Sequence, residues 1–372
     1  MNRNVGVQAQ ITGFGEKPLD AVENNLVIVP MDCPNPSDLS PQDVLIDIHC
    51  AALSWVDLLM TCGLYQHRAR LPYTPGLEYS GTIRWLGSEV PRAKYGLGQK
   101  VYVGCFEAGP RTSGRYQKYG GFASFGVAPF QSVQPIPKSF NFSQACNFAG
   151  NYETAYHCVV ACGKLQRGET ILIHGASGAT GLAAVHLAKL IGATVIATGR
   201  DRAKLAEVKN QGADHVVVLE RASDGQLVPF RRTIKELTNG RGVDVVYDGV
   251  GGDISVESLR AMCFGGRFLV VGWASTPFVR VEKPNQLPTN LILMKGLQVI
   301  GCPAVISAQK NPAIRKPRVA ALRYWANEGV LSPYVSAEYA IADIKQAMRD
   351  KWEGKIVGGC AIRLCDFDQE RR

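Results

Sequence analysis

Thr170-Ile171-Leu172-Ile173-His174-Gly175-Ala176-Ser177-Gly178-Ala179-Thr180-Gly181 is the stretch on which the reading of this chain turns. A short apolar run enters a turn of spaced glycines. The turn opens into Leu182, Val185, Leu187 and Leu190, which recur at helical spacing among small alanines. Gly192 stands where that helix should stop, since a helix C-cap takes a left-handed backbone that glycine adopts without strain.

A strand, a glycine turn and a helix in this order are what a pyrophosphate needs. Gly178 would let the backbone approach the phosphates, and Gly181 would let the helix pack on the strand. The helix start offers unpaired N–H groups and the positive end of its dipole. Three glycines alone carry little weight, and the spacing here, GxxGxxG, is looser than GxGxxG; the setting carries the inference.

Working outward, apolar runs at 195–198, 216–219, 243–247, 268–271 and 298–300 alternate with predicted helices at 202–211, 227–237 and 256–262. A further helix is predicted at 152–162, ending near Gly163. Buried continuous strands that alternate with helices imply a doubly wound parallel sheet. The first 150 residues differ. Short β-prone runs at 26–29, 44–48, 81–85 and 101–103 are broken by Pro34-Asn35-Pro36, Pro72, Pro75-Gly76 and Pro135-Ile136-Pro137. The tail, helical at 319–328 and 341–351 and strand-like at 355–363, is expected to return to that first domain. The fold class is α/β, with a Rossmann nucleotide domain at 151–314 and a mostly β domain at 1–150 joined by 315–372.

The end of the second strand selects the nucleotide. An enzyme that binds the ribose hydroxyls of NAD places an acidic residue about 20 residues beyond the glycines. Here the strand runs into Thr198-Gly199-Arg200, with Lys204 one helical turn on. Arg200 and Lys204 would pair with a 2′-phosphate, so NADPH is expected. The adjacent Asp201 reads as the N-cap of the next helix.

The 372 residues carry a formal charge of +9, with basic residues dispersed; Arg111/Arg115/Lys118 and Arg231/Arg232/Lys235 are the densest patches. Neither is interleaved with stacking aromatics, which argues against nucleic acid as a partner. No apolar run reaches transmembrane length, which argues against membrane insertion. Met1-Asn2-Arg3-Asn4-Val5 lacks a secretory core, so the cytosol is the expected location. Eleven scattered cysteines form no CxxC pair and read as reduced thiols.

Several motifs carry a resemblance over nearly the whole length. They are Ser54-x-x-Asp57, Gly63-Leu64-Tyr65, the run Leu71-Pro72-Tyr73-Thr74-Pro75-Gly76-Leu77-Glu78-Tyr79-Ser80-Gly81, and Gly120-Gly121-Phe122-Ala123. Thr154-Ala155-Tyr156, Asp248-Gly249-Val250-Gly251-Gly252, Gly265-Gly266-Arg267 and Gly354-Lys355-Ile356-Val357 follow. With these the chain resembles the medium-chain dehydrogenases/reductases, in the zinc-free quinone oxidoreductase branch that includes zeta-crystallin-like proteins. The resemblance implies a GroES-like catalytic domain beside the Rossmann domain, and a homodimer.

It also implies residue roles. The first zinc-binding cysteine of zinc-dependent relatives falls on Ser54 and a histidine ligand on Leu77, so no metal is expected. Without a Lewis acid, reduction of a quinone or an α,β-unsaturated carbonyl remains feasible. Tyr65 is the candidate proton donor or oxygen-binding group, with Ser54 as the second catalytic-site candidate. Cofactor contacts fall on Thr154, on Ser177, Gly178, Ala179, Thr180 and Gly181, on Gly199, Arg200 and Lys204, and on Val250, Gly272, Trp273, Ala274 and Lys355. Asp57 reads as a structural acceptor, and His174, behind the turn, as satisfied by a backbone partner. The expected partner is a small electrophile: a quinone, an enone or, as the alternative, an enoyl thioester whose carrier phosphates Arg68, Arg70 and 111–118 would meet. A non-catalytic NADPH-binding or RNA-binding scaffold is the reading from a different class.

Overall fold

The computed structural model describes residues 4–272 and 285–364. In chain order the strands are β1 (Val5–Ile11), β2 (Leu26–Asp32), β3 (Asp43–Ala52), β4 (Tyr79–Leu86), β5 (Lys100–Val103), β6 (Phe125–Pro129), β7 (Val133–Pro135), β8 (Thr170–Ile173), β9 (Thr194–Gly199), β10 (His215–Val218), β11 (Val243–Asp248), β12 (Met262–Val270), β13 (Gln298–Gly301), β14 (Val335–Ala340) and β15 (Gly359–Arg363). The chain divides into two compact units, Met1–Gly150 with Trp325–Arg372, and Asn151–Tyr324.

In the second unit six parallel strands lie in the order β10-β9-β8-β11-β12-β13. That is the doubly wound order, with its reversal between β8 and β11, outside whose carboxyl ends ligands bind. β8 is buried along its whole length, as an apolar strand covered on both faces must be. The helix Ala179–Ile191 follows, and Gly192 closes it at φ +90°.

Two predicted helices differ in detail. The one at 152–162 is α-helical only over Ala149–Tyr156 and continues as a π-helical turn over His157–Cys162. Its wider ring is closed by the Gly163 N–H on the Cys158 carbonyl. The one at 227–237 begins only at Arg231. Pro229 drives Val228 out of helical geometry, and the Val228 N–H goes instead to the Glu220 carbonyl.

The first unit holds a seven-stranded sheet, β14-β15-β3-β4-β5-β7, with β6 also on β3, and a separate antiparallel pair β1-β2. β15 lies antiparallel to β3, so the C-terminal tail is woven into the sheet of the first 150 residues. Ile46, Ile48, Tyr79, Val101, Phe122 and Ile362 fill the core. The short helix Trp55–Met60, which periodicity did not reveal, hangs from the end of β3 and carries the polar cluster of this unit. Among the described residues no helix is long and apolar enough to cross a membrane.

Candidate functional site

In the nucleotide unit the turn after β8 is made of backbone. Gly175 has φ +65°, and the Gly178 N–H closes the turn on the Gly175 carbonyl at 2.9 Å. Gly178 is the N-cap of Ala179–Ile191, with no side chain capping the helix. A Cβ on Gly181 would come within 2.3 Å of the Gly175 carbonyl oxygen, so only glycine lets this helix start lie against the turn. A Cβ on Gly175 would sit 3.3 Å from Val250 Cγ2, which places Val250 directly at the turn. Thr180 donates to Asn151 Oδ1 at 3.0 Å, tying the helix start to the element that carries the half-buried Thr154. An uncapped helix N-terminus of this kind fits a pyrophosphate.

The loop facing it is shaped by one carboxylate. Buried Asp248, at the end of β11, accepts from the N–H groups of Val250 (2.8 Å) and Gly251 (2.9 Å) and from the Ser255 hydroxyl. Gly272 donates its N–H to the Asp248 carbonyl at 3.2 Å and so lies beside Gly249 and Val250. Trp273 and Ala274 lie outside the described residues.

At the end of β9, Gly199 leads to an exposed Arg200 and a half-buried Lys204. Asp201 caps the next helix, Arg202–Asn210, by accepting the Lys204 N–H at 2.9 Å; that bond holds its carboxyl below the usual range. Its charge is turned into the helix, leaving Arg200 at the strand end.

His174 is fully occupied by hydroxyls, not by a backbone partner. Its Nε2 is 2.6 Å from Ser258 Oγ and its Nδ1 2.7 Å from Thr198 Oγ1. Ser258 spends its one proton on the Ile254 carbonyl, so Nε2 donates and the ring is neutral. Burial depresses its pKa, with Asp248 opposing.

In the other unit Ser54 and Asp57 form a reciprocal cap on Trp55–Met60. Asp57 Oδ2 accepts from the Ser54 N–H (2.8 Å) and hydroxyl (2.7 Å), and Ser54 Oγ accepts the Asp57 N–H at 3.2 Å. Asp57 Oδ1 accepts the Gly76 N–H at 3.0 Å, pinning the Pro75-Gly76 corner. Asp57 is 1% exposed; burial raises its pKa against these donors. It is a structural acceptor, and the Ser54 proton is committed to it.

Tyr65 follows the helix, half-buried. Its hydroxyl accepts from Gln66 Nε2 at 3.5 Å, and its proton has no acceptor among the described residues. Arg111 lies over the ring, with Cζ 5.3 Å from the centroid. In the sequence Arg111 groups with Arg115 and Lys118 as a basic patch; the fold half-buries it beside Tyr65, a juxtaposition across 46 positions that no local pattern signals. Burial pulls the Arg111 pKa down, but Cys105, Tyr65, Glu78 and Asp57 more than offset this. Cys62 is half-buried and its thiol is pushed up by burial, as for a packing residue. The Lys355 ammonium is held by Asp350 (2.9 Å) and Glu353 (2.7 Å), which assigns its charge to its own turn.

The residues do not fit zinc. Ser54 is spent on Asp57, Leu77 offers no donor, and Glu78 accepts the Gly150 N–H at 2.7 Å. Among the described residues no group of three or more His, Cys, Asp or Glu could hold a metal ion.

Residues 40–138 match the family model of the alcohol dehydrogenase GroES-like domain, and residues 179–314 that of the zinc-binding dehydrogenase. A quinone oxidoreductase-like protein 2 homolog of Nematostella vectensis is 31% identical over 326 residues, covering 86% of this chain and 82% of that protein. The chain belongs to the medium-chain dehydrogenase/reductase superfamily, in its zinc-free, quinone-oxidoreductase-like branch. Another relative, the quinone oxidoreductase of Homo sapiens, is 26% identical over 87% of this chain and 90% of its own length. Among solved structures, a probable oxidoreductase from Mycobacterium abscessus matches with a TM-score of 0.78 and 26% identity, over 96% of this chain and 99% of that one. As a medium-chain dehydrogenase/reductase the chain is an oxidoreductase of small organic molecules.

Proposed function

We propose that the chain is an NADPH-dependent reductase of quinones or α,β-unsaturated carbonyl compounds. The observation that carries this reading is Tyr65, a phenol whose proton has no acceptor among the described residues, which also offer no metal donor set. When bound, reduced nicotinamide supplies a hydride to the electron-poor carbon. Tyr65 holds the substrate oxygen and gives it a proton as negative charge develops there. Ser54, through Asp57, fixes the helix from which the Tyr65 segment departs.

For the nucleotide, Ser177 to Gly181 hold the pyrophosphate by backbone N–H groups, and Arg200 with Lys204 pairs with the 2′-phosphate. Thr154, Val250 and Gly272 flank the nicotinamide half, and Trp273 and Ala274 are assigned to cofactor binding with them. β13, at the edge of the nucleotide sheet, is the strand that a homodimer would extend.

A second reading, an enoyl-thioester reductase, is supported by a highly reducing polyketide synthase of Arthrinium phaeospermum, 31% identical over 242 residues that make up 9% of that protein. Steady-state turnover of a quinone, an enone and an enoyl-CoA with NADPH and with NADH separates the two. Oxidation of NADPH by none of them sinks both and leaves a binding scaffold. Tyr65→Phe is expected to lower kcat by about 100-fold, the usual worth of a positioned proton donor, with KM little changed. Unchanged turnover removes Tyr65 as the donor.

A further inference from the structure

Four arginines of the GroES-like unit are spent on carboxylates or carbonyls. Arg84 pairs with Asp47 at 2.9 Å, Arg115 with Asp43, Arg349 with Glu23, and Arg92 donates to the carbonyls of Leu86 and Gly87. Arg111 is not so spent, and it lies over the Tyr65 ring. It is half-buried, yet among the described residues no carboxylate lies within ion-pair distance of it. Its one directed contact is Nη1 to Cys105 Sγ at 3.6 Å, a weak acceptor. The nearest acidic groups are engaged elsewhere: both oxygens of Asp57 serve Ser54 and Gly76, and Glu78 serves Gly150. None of the Arg111 nitrogens is sealed away unpaired, whereas two of those of buried Arg318 are. Its remaining N–H groups therefore keep some exposure to solvent, next to the Tyr65 ring. A guanidinium presents five donors in a planar fork that matches a carboxylate.

We propose that Arg111 is an anion-recognition residue, and that the electrophile placed at Tyr65 carries a carboxylate. The proposal rests on the reading of Tyr65 as the substrate-binding group. Arg111, stacked on the Tyr65 ring, forks the carboxylate while the phenol meets the reacting carbonyl; a neutral quinone would leave the fork unused. The charge of +9 on the chain draws such acids in from solution. The Arg111 guanidinium binds through preformed geometry and takes no part in proton transfer.

The test begins with binding, without turnover. Full-length protein, with and without oxidised nicotinamide nucleotide, is titrated calorimetrically with levulinate and with methyl levulinate, a keto acid without a conjugated double bond and its ester. Levulinate should bind about tenfold or more tighter than the ester, the worth of one charge-assisted pair. Arg111→Gln should bring the two within about twofold, and Arg111→Lys should retain part of the preference. The melting midpoint of each variant checks that the unit is folded. Equal binding of acid and ester by the unaltered protein, or a preference that survives Arg111→Gln, overturns the proposal.

Turnover of acetylacrylate and its methyl ester then separates this idea from the reductase reading. If neither is reduced while the levulinate preference and its loss are seen, the reductase reading falls and the anion site stands. If both are reduced with equal KM, and Arg111→Gln lowers kcat alike for both, the anion site falls and the reductase reading stands.

Discussion

The glycine turn of the nucleotide unit and the polar cluster around Asp57 solve opposite problems. At Gly178 a helix starts with no side-chain cap on its first donors. At Ser54 a helix of six residues starts with a complete capping box, its side chains returned to the chain itself. The first leaves backbone donors without a side-chain cap; the second spends side chains to hold a corner.

Breaking the cluster should cost most. Asp57→Ala strands three donors, the Ser54 N–H, the Ser54 hydroxyl and the Gly76 N–H. A loss of about 2–4 kcal/mol is expected in denaturant unfolding, as for a buried acceptor removed from its partners. A loss under about 1 kcal/mol would show the corner to be held by packing alone.

Next is the turn. Gly181→Ala forces a Cβ against the Gly175 carbonyl, and about 1–3 kcal/mol of overpacking is expected. Nucleotide affinity should fall with it, read by NADPH titration; Asp57→Ala should leave that affinity intact. Affinity that survives Gly181→Ala would place the phosphates away from this helix start.

A smaller effect sharpens the nucleotide side. Arg200→Ala should weaken NADPH by about tenfold while NADH is unaffected, the signature of a lost charge-assisted contact to a 2′-phosphate. Equal loss for both nucleotides would remove Arg200 from that role.

The smallest is a pH effect of opposite sign in the two units. Burial depresses the pKa of His174 and of His186 below that of the unfolded chain. Their contribution to stability is therefore present above about pH 6.5 and lost as pH falls towards the folded values, with a slope of at most about 1.4 kcal/mol per pH unit each. Asp57 is raised, so its contribution is largest below the unfolded carboxylate range and is lost as pH rises. Lowering the pH from 7.5 to 5.5 should lower the melting midpoint of the native chain, and His186→Gln should flatten that dependence.

Legibility followed the same division. The glycine turn, the helix Ala179–Ile191 with its Gly192 stop, the Asp201 cap and the succession of apolar strands are local patterns, and they stand in the structure as the residues suggested. That Ser54 and Leu77 are poor zinc ligands was legible, because ligand chemistry is a property of residue type, and among the described residues no group of three or more His, Cys, Asp or Glu could hold a metal ion. The helix Trp55–Met60 was not legible: six residues are too few for periodicity to register. Nor was the π turn at His157–Cys162, whose hydrogen bonding shifts by one residue without a change of composition.

The sequence by itself determined a parallel nucleotide sheet, a glycine turn that opens a helix, and side chains at Ser54 and Leu77 that are poor zinc ligands, because each depends on neighbours within one element or on residue type. Only the tertiary structure decided that His174 is neutral between two hydroxyls, that Asp57 holds Gly76, and that Arg111 lies on Tyr65. Those pairs lie 19 to 84 positions apart, and the folding of the sheets, not any local preference, brings them together.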